Sequence, residues 1–243
     1  MITSATNSKI KHLQKLIRDK KYRYQQAQFV AEGYRQLEAV NNILDVYLSS
    51  EARKPAIDIA SERLHIIDHK IFNRLADTEN SQGVLAVCAL NYETTLDITK
   101  RYVLLDALQD PGNVGTIIRT AAAFGYDGVI VANGCVDPFS PKVVRSAMGA
   151  VFQCTVVLLQ EFSSLKGCCV IAADIDGQDV ESLQPDASYI LAIGSEARGL
   201  SPELRPWINK TVTIPLSNSA VNSLNAAVAA GIVMYTLNRQ MQR

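Results

Sequence analysis

The rhythm of apolar and polar positions changes around the polar stretch Asn91-Tyr92-Glu93-Thr94-Thr95. Before it, residues 8–18 read as a basic helix followed by a polar turn. Phe29-Val30-Ala31-Glu32 reads as a short strand entering a helix over 34–40. The runs Leu44-Asp45-Val46-Tyr47-Leu48 and Leu64-His65-Ile66-Ile67 read as strands, with Pro55 in the loop between them. A helix over 70–76 and a strand over 83–88 complete a small α/β unit. Beyond the polar stretch, short and wholly apolar strands alternate with helices. Strands are expected at 102–105, 128–131, 155–158, 170–173, 189–193 and 212–215. Helices are expected at 114–124, around 141–149, and from 223 to about 240. A strand without polar alternation is buried on both faces, the condition of a mostly parallel sheet covered by helices. The pattern predicts an α/β chain of two domains, a smaller one over 1–92 and a larger one over 100–243. A length of 243 residues suffices for both.

Charge changes this picture only locally. Lysine and arginine together number 24, as do aspartate and glutamate, so the net charge is zero and a generic polyanion binder is disfavoured. Yet Lys9, Lys11, Lys15, Arg18, Lys20, Lys21 and Arg23 crowd one stretch opposed only by Asp19. Such a stretch can neutralise several phosphates. A solvated helix face is the competing reading, and charge alone favours it. No apolar run approaches the ~20 residues that span a bilayer. The polar opening Met1-Ile2-Thr3-Ser4-Ala5-Thr6-Asn7 has no apolar core of a signal peptide, so a cytoplasmic location and no membrane partner are expected. The five cysteines form no C-x-x-C pair and share no ligand spacing with His12, His65 and His69. Buried reduced thiols and no metal site are expected.

Three strand ends carry unusual polar residues, at the place where open parallel sheets hold ligands. In Asp106-Ala107-Leu108-Gln109-Asp110-Pro111-Gly112-Asn113, a strand ends, the chain turns, and Asn113 is placed to cap the next helix, with Arg119 six residues on. Taken alone, that stretch favours the ordinary reading, a capped helix with a surface arginine. In Gly194-Ser195-Glu196-Ala197-Arg198-Gly199, two glycines bound a tight turn with a carboxylate at its centre. In the segment from Ile214 to Gly231, a strand runs through small polar residues into a helix rich in Ala and Gly. There Ser223 is placed as N-cap and Asn225 in the first turn. Each segment alone is compatible with ordinary structure.

Together and in this order, the three segments resemble the SpoU (TrmH-like) branch of the SPOUT RNA methyltransferases. Phe29-Val30-Ala31-Glu32-Gly33-Tyr34-Arg35-Gln36-Leu37 is similar to the opening of that family's substrate-binding domain. The resemblance implies a SPOUT-type α/β catalytic domain with a deep trefoil knot, a homodimer with its active site near the subunit interface, and S-adenosyl-L-methionine as cofactor. It implies cofactor contacts at Gly194, Ile214, Leu216, Ser223 and Leu224. It implies catalytic positions at Asn113, Arg119, Glu196, Ser223 and Asn225. Ala197 departs from the glycine found in many relatives, which matters if that position needs left-handed backbone.

The implied reaction is methyl transfer from a sulfonium to a ribose 2′-hydroxyl, a poor nucleophile that needs orientation and a proton acceptor. Arg119 is no base, because guanidinium keeps its proton above pH ~12. It is assigned to clamp a phosphate or ribose oxygen, an RNA phosphate oxygen taking the proton. Glu196 is expected to orient Arg119 or a group beside the cofactor. The basic N-terminal stretch, with Lys142 and Arg145 of the larger domain, is then expected to hold RNA. The added N-terminal domain favours ribosomal over transfer RNA. A dinucleotide-binding oxidoreductase is disfavoured because Gly112-Asn113-Val114-Gly115 lacks the G-x-G-x-x-G spacing. A non-catalytic RNA-binding protein that retains the fold is the alternative, distinguished by whether it binds the cofactor.

Overall fold

The computed structural model describes residues 1–40, 42–56, 58–76, 78, 80–217 and 223–242. The elements up to the polar stretch are α1 (Ser8–Arg18), α2 (Lys20–Gln26), β1 (Gln28–Glu32), α3 (Tyr34–Ala39), β2 (Ile43–Ser49), β3 (Leu64–Ile67), α4 (His69–Leu75) and β4 (Val84–Ala89). Those after it are β5 (Tyr102–Leu105), α5 (Pro111–Ala123), β6 (Gly128–Val131), α6 (Pro141–Ala147), β7 (Thr155–Leu158), β8 (Val170–Asp179), β9 (Ile190–Ile193), β10 (Lys210–Thr213) and α7 (Ala226–Gln240).

The first compact unit comprises Met1–Asn91 and Phe139–Phe152. Its sheet has the order β1-β4-β2-β3, antiparallel except between β2 and β3. Helix α1 presents Ile10, Leu13 and Leu16 at three-residue spacing to a core that includes Tyr47, Ile67, Phe72 and Leu85. Each such leucine, fully removed from water, contributes roughly 1.5–3 kcal/mol. The expected polar turn after α1 is instead a second helix. Asp19 ends α1 and caps α2, its carboxylate accepting from Tyr22 N–H at 3.1 Å. One side chain serving both ends lets the helices follow each other without a loop.

The segment 139–152, expected within the larger domain, belongs to this first unit. Phe29 of β1 explains why: its ring lies 5.3 Å from Phe139 and 5.6 Å from Phe152, and Val143 and Val144 of α6 are buried. Gln36 Nε2 donates to the Val144 carbonyl at 3.2 Å. The expected division near residues 92–100 is therefore interrupted by one later segment.

The second unit comprises residues 92–138 and 153–243, described as above, around a sheet of order β10-β8-β9-β5-β6-β7 with every pairing parallel. Every residue of β5, β6 and β9 is buried, as wholly apolar runs require. Glu93 of the polar stretch already pairs beside β7, exchanging hydrogen bonds with Val156 and Leu158 at 2.9 Å. Two strands differ from expectation by more than one residue. β10 ends at Thr213, so Ile214 lies beyond it. β8 runs on to Asp179, but its pairing with β10 jumps from Ala172 to Gln178, so five residues leave the ladder. Gly177 lies where this excursion presses on β10, since a Cβ there would sit 2.5 Å from the Val212 carbonyl carbon. Among the described residues no helix is long and apolar enough to cross a membrane.

Candidate active site

The carboxyl ends of β5, β9 and β10 open toward the three polar segments. Asp106, buried at the end of β5, accepts from Ser201 N–H at 2.6 Å and so ties its loop to the one after β9. The next residue, Ala107, adopts left-handed backbone at φ 55°, which turns the chain out of the sheet. An L-residue there costs about 1 kcal/mol or more. Helix α5 is capped by Asp110, not Asn113. The Asp110 carboxylate accepts from Asn113 N–H at 2.8 Å, with Pro111 at the first helical position, where it has no donor to lose. The Asp-Pro pair was the sequence signal for this start.

Freed from capping, the Asn113 side chain joins the other two segments. Its Nδ2 donates to Glu196 Oε1, and its Oδ1 accepts from Asn225 Nδ2 at 3.0 Å. Asn225 is in turn the N-cap of α7, its Oδ1 accepting from Ala227 N–H at 3.0 Å and Val228 N–H at 3.2 Å. Ser223, expected as that cap, lies upstream and exposed. The chain of bonds has one direction: each amide donates toward a carboxylate that can only accept. The N–H groups at the start of α7, the positive end of a fifteen-residue helix, thus reach the negative charge of Glu196 through two amides.

The loop carrying Glu196 closes on itself. Ser195 N–H donates to Gly199 O at 3.0 Å, and Gly199 N–H returns to Ser195 O at 2.8 Å. Gly199 has φ 65°, and a Cβ on Gly194 would lie 2.3 Å from the Gly199 carbonyl carbon, so this closure needs both glycines. Among the described residues, the non-glycine positions with positive φ are Ala27, Ala107 and Met148, and Ala197 is not one of them. Alanine in place of glycine therefore carries no left-handed strain at that position.

Beside the loop lies a cavity of about 450 Å³ lined by Gly194, Glu196, Ile214, Leu216, Ser223 and Leu224. All five residues expected to contact a cofactor meet there. Asp174 and Ile175, on the segment that leaves the β8 ladder, line it too, as do Arg198 and Arg205. Sequence patterning gave no signal for Asp174 and Ile175, because β8 was read as ending at 173, whereas Arg198 lies in the loop already singled out. Asn113 and Asn225 face a neighbouring groove with Thr116, Val228, Ile232 and Tyr235.

Arg119 stands apart. It is exposed on α5 and, among the described residues, its side chain makes no hydrogen bond or ion pair. Six residues past Asn113, it sits about 120° round the helix and about 9 Å along it. Within one chain, Glu196 therefore holds Asn113 and not Arg119.

The basic stretch is only partly available. Lys11, Lys15, Arg18, Lys20 and Lys21 are exposed. Lys9 Nζ is held 2.9 Å from His65 Nε2, which bonds Asp45 at 2.6 Å. Arg23 is buried and donates to the carbonyls of Leu16 and Ile17 at 2.8 and 3.2 Å, closing the end of α1. It is a helix-terminating residue, and its expected place among phosphate contacts is withdrawn. Lys142 is exposed and Arg145 half-buried, both on α6 of the first unit.

Residues 100–235 match the model of the SpoU rRNA Methylase family, and residues 7–86 match the MRM3-like substrate binding domain. The chain is 33% identical to the 23S rRNA (guanosine(2553)-2′-O)-methyltransferase RlmP of Bacillus subtilis (strain 168), over 97% of this chain and 98% of that protein. Among solved structures, the AdoMet-bound rRNA methyltransferase from Sinorhizobium meliloti superposes with a TM-score of 0.85 at 28% identity, over 98% of this chain and 97% of that one. The SpoU methyltransferase AviRb from Streptomyces viridochromogenes, solved with AdoMet, gives 0.84 at 26% identity, over 97% and 99%.

Proposed function

The chain belongs to the SpoU rRNA methylase family, and from that premise we propose that it transfers a methyl group from S-adenosylmethionine to a ribose 2′-hydroxyl of ribosomal RNA. The observation that carries this reading is the meeting of three separated loops at one cavity. Its apolar walls, Ile214, Leu216 and Leu224, suit a planar base, and Glu196, Ser223 and Asp174 stand beside them for a polar, charged end. About 450 Å³ lies within the range of small-ligand sites. When bound there, S-adenosylmethionine supplies an electrophilic methyl on sulfur.

The protein's part is orientation and charge. Gly194 gives a ligand close access to backbone, while Asn113 and Asn225 fix Glu196 so that little reorganisation accompanies reaction. Arg119 clamps a phosphate or ribose oxygen of the RNA, and its constant charge excludes it as the base. Its own chain leaves it free, as a residue contributed to a partner's site would be. The homodimer belongs to the same reading. Val228, Ile232 and Tyr235 stand 52, 38 and 54% exposed along one side of α7, and a helix packed on α5 has no reason to show that stripe to water. The trefoil knot, expected from the family resemblance, is part of the proposal too. It is consistent with a chain that leaves edge strand β10 and returns through α7 to pack on α5, β8 and β9. The exposed cations of α1 and α2 hold RNA phosphates, and the reaction takes place in the cytoplasm.

Incubation with ribosomal RNA and labelled S-adenosylmethionine, followed by mapping of the modified nucleotide, tests this. One alkali-resistant ribose methylation is expected. RNA binding with neither calorimetric binding of the cofactor nor RNA methylation would support a non-catalytic scaffold instead.

A further inference from the structure

At one end of the first unit, three loops are stitched together around Tyr34. Its backbone N–H donates to Gln82 Oε1 at 2.9 Å, and its phenol donates to the Arg53 carbonyl at 2.5 Å. The guanidinium carbon of Arg53 lies 4.8 Å over the same ring. Ser49 N–H donates to Gly83 O at 2.9 Å and ties the second loop to the third. Tyr34 is half-exposed, whereas Arg35, Arg53 and Lys54 are exposed. Among the described residues, none of these three cations makes an ion pair.

A ring held at both its backbone and its hydroxyl has little freedom left to lose when a flat ligand stacks on it. A guanidinium lying over that ring extends the planar surface and keeps its N–H edge for hydrogen bonds. Arg35 and Lys54 add charge for the phosphates on either side. This is the chemistry that grips an unpaired nucleotide, because a duplex hides the faces of its bases. The tyrosines of α2 are differently placed. Tyr22 bonds His12 and lies under Lys15, and Tyr24 packs edge-on to Phe139 and lies under Lys20. Their faces meet ammonium groups, which act as point charges on phosphate.

We propose that this end of the first unit is a stacking platform for an unpaired base of the RNA substrate. The inference rests on the RNA methyltransferase reading and adds to it which feature of the RNA the first unit selects. The test measures binding of the full chain by fluorescence anisotropy on two probes: a pool of hairpin RNAs with randomised unpaired loops, and a fully paired duplex of equal length. Arg53→Ala keeps the backbone carbonyl that Tyr34 grips, so the loops stay stitched. It is expected to raise the Kd for the hairpins about fivefold or more and leave the duplex unchanged. Arg53→Lys keeps the charge without the plane and is expected to resemble Arg53→Ala, and Tyr34→Ala is expected to show the same selective loss. Equal losses on both probes, or unchanged hairpin binding, would overturn the platform while leaving the RNA reading intact. Failure of the unaltered protein to bind either probe would sink both.

Discussion

Asn113 shows how one side chain joins loops that are 83 and 112 residues away in sequence. Asn113→Asp sets a second carboxylate against Glu196, and two such groups share a proton before both ionise. Turnover is expected to fall about tenfold or more near neutral pH, the loss of one charge-assisted hydrogen bond. It should recover partly as pH drops and the shared proton binds. A pH–rate profile of the variant flat relative to the unaltered enzyme would refute the coupling. The thiols titrate in the opposite sense. Burial pushes Cys88 and Cys154 from the ordinary value of 9.0 up to about 12. Above pH 9 these thiols ionise in the unfolded chain while the folded chain keeps them neutral, so stability present at lower pH is lost as pH rises. Denaturant titrations at pH 7.5 and 9.5 measure this. Serine in place of either cysteine should flatten the decline.

Among the elements, helix starts separate capping from chemistry. Asn225→Ala removes the cap of α7 and is expected to cost about 1 kcal/mol in chemical denaturation. Ser223→Ala should leave stability within about 0.5 kcal/mol while weakening cofactor binding by calorimetry. The opposite assignment would return the cap to Ser223. Gly194→Ala forces its Cβ against the Gly199 backbone and is expected to abolish cofactor binding in a chain that still folds. The strands were legible because wholly apolar four-residue runs have few other fates. β5, β6 and β7 appear over the residues expected of them. The caps were less legible, since Asn, Asp and Ser compete for one role within three residues and local sequence does not say which side chain a distant loop has claimed. The Asn113 side chain is claimed by Glu196 and not by its helix start. The excursion of β8 was invisible for a similar reason, being defined by its register with β10.

For the whole molecule, the exposed stripe of α7 makes assembly the central question. Ile232→Glu is expected to shift sedimentation to the monomer and abolish methylation while leaving cofactor affinity unchanged. An active monomer would show that Arg119 serves its own chain. The zero net charge conceals a division of labour that only the folded arrangement reveals, with the cations of one helix pair facing solvent and Arg23 turned inward to end α1. The segment containing α6 has a further consequence for anyone wishing to retarget the protein. Grafting a foreign domain in place of residues 1–91 would leave the Phe139–Phe152 segment without its aromatic seat on Phe29, and the transplanted domain would lack a strip of the first unit's wall. A workable chimera must exchange two stretches of sequence at once.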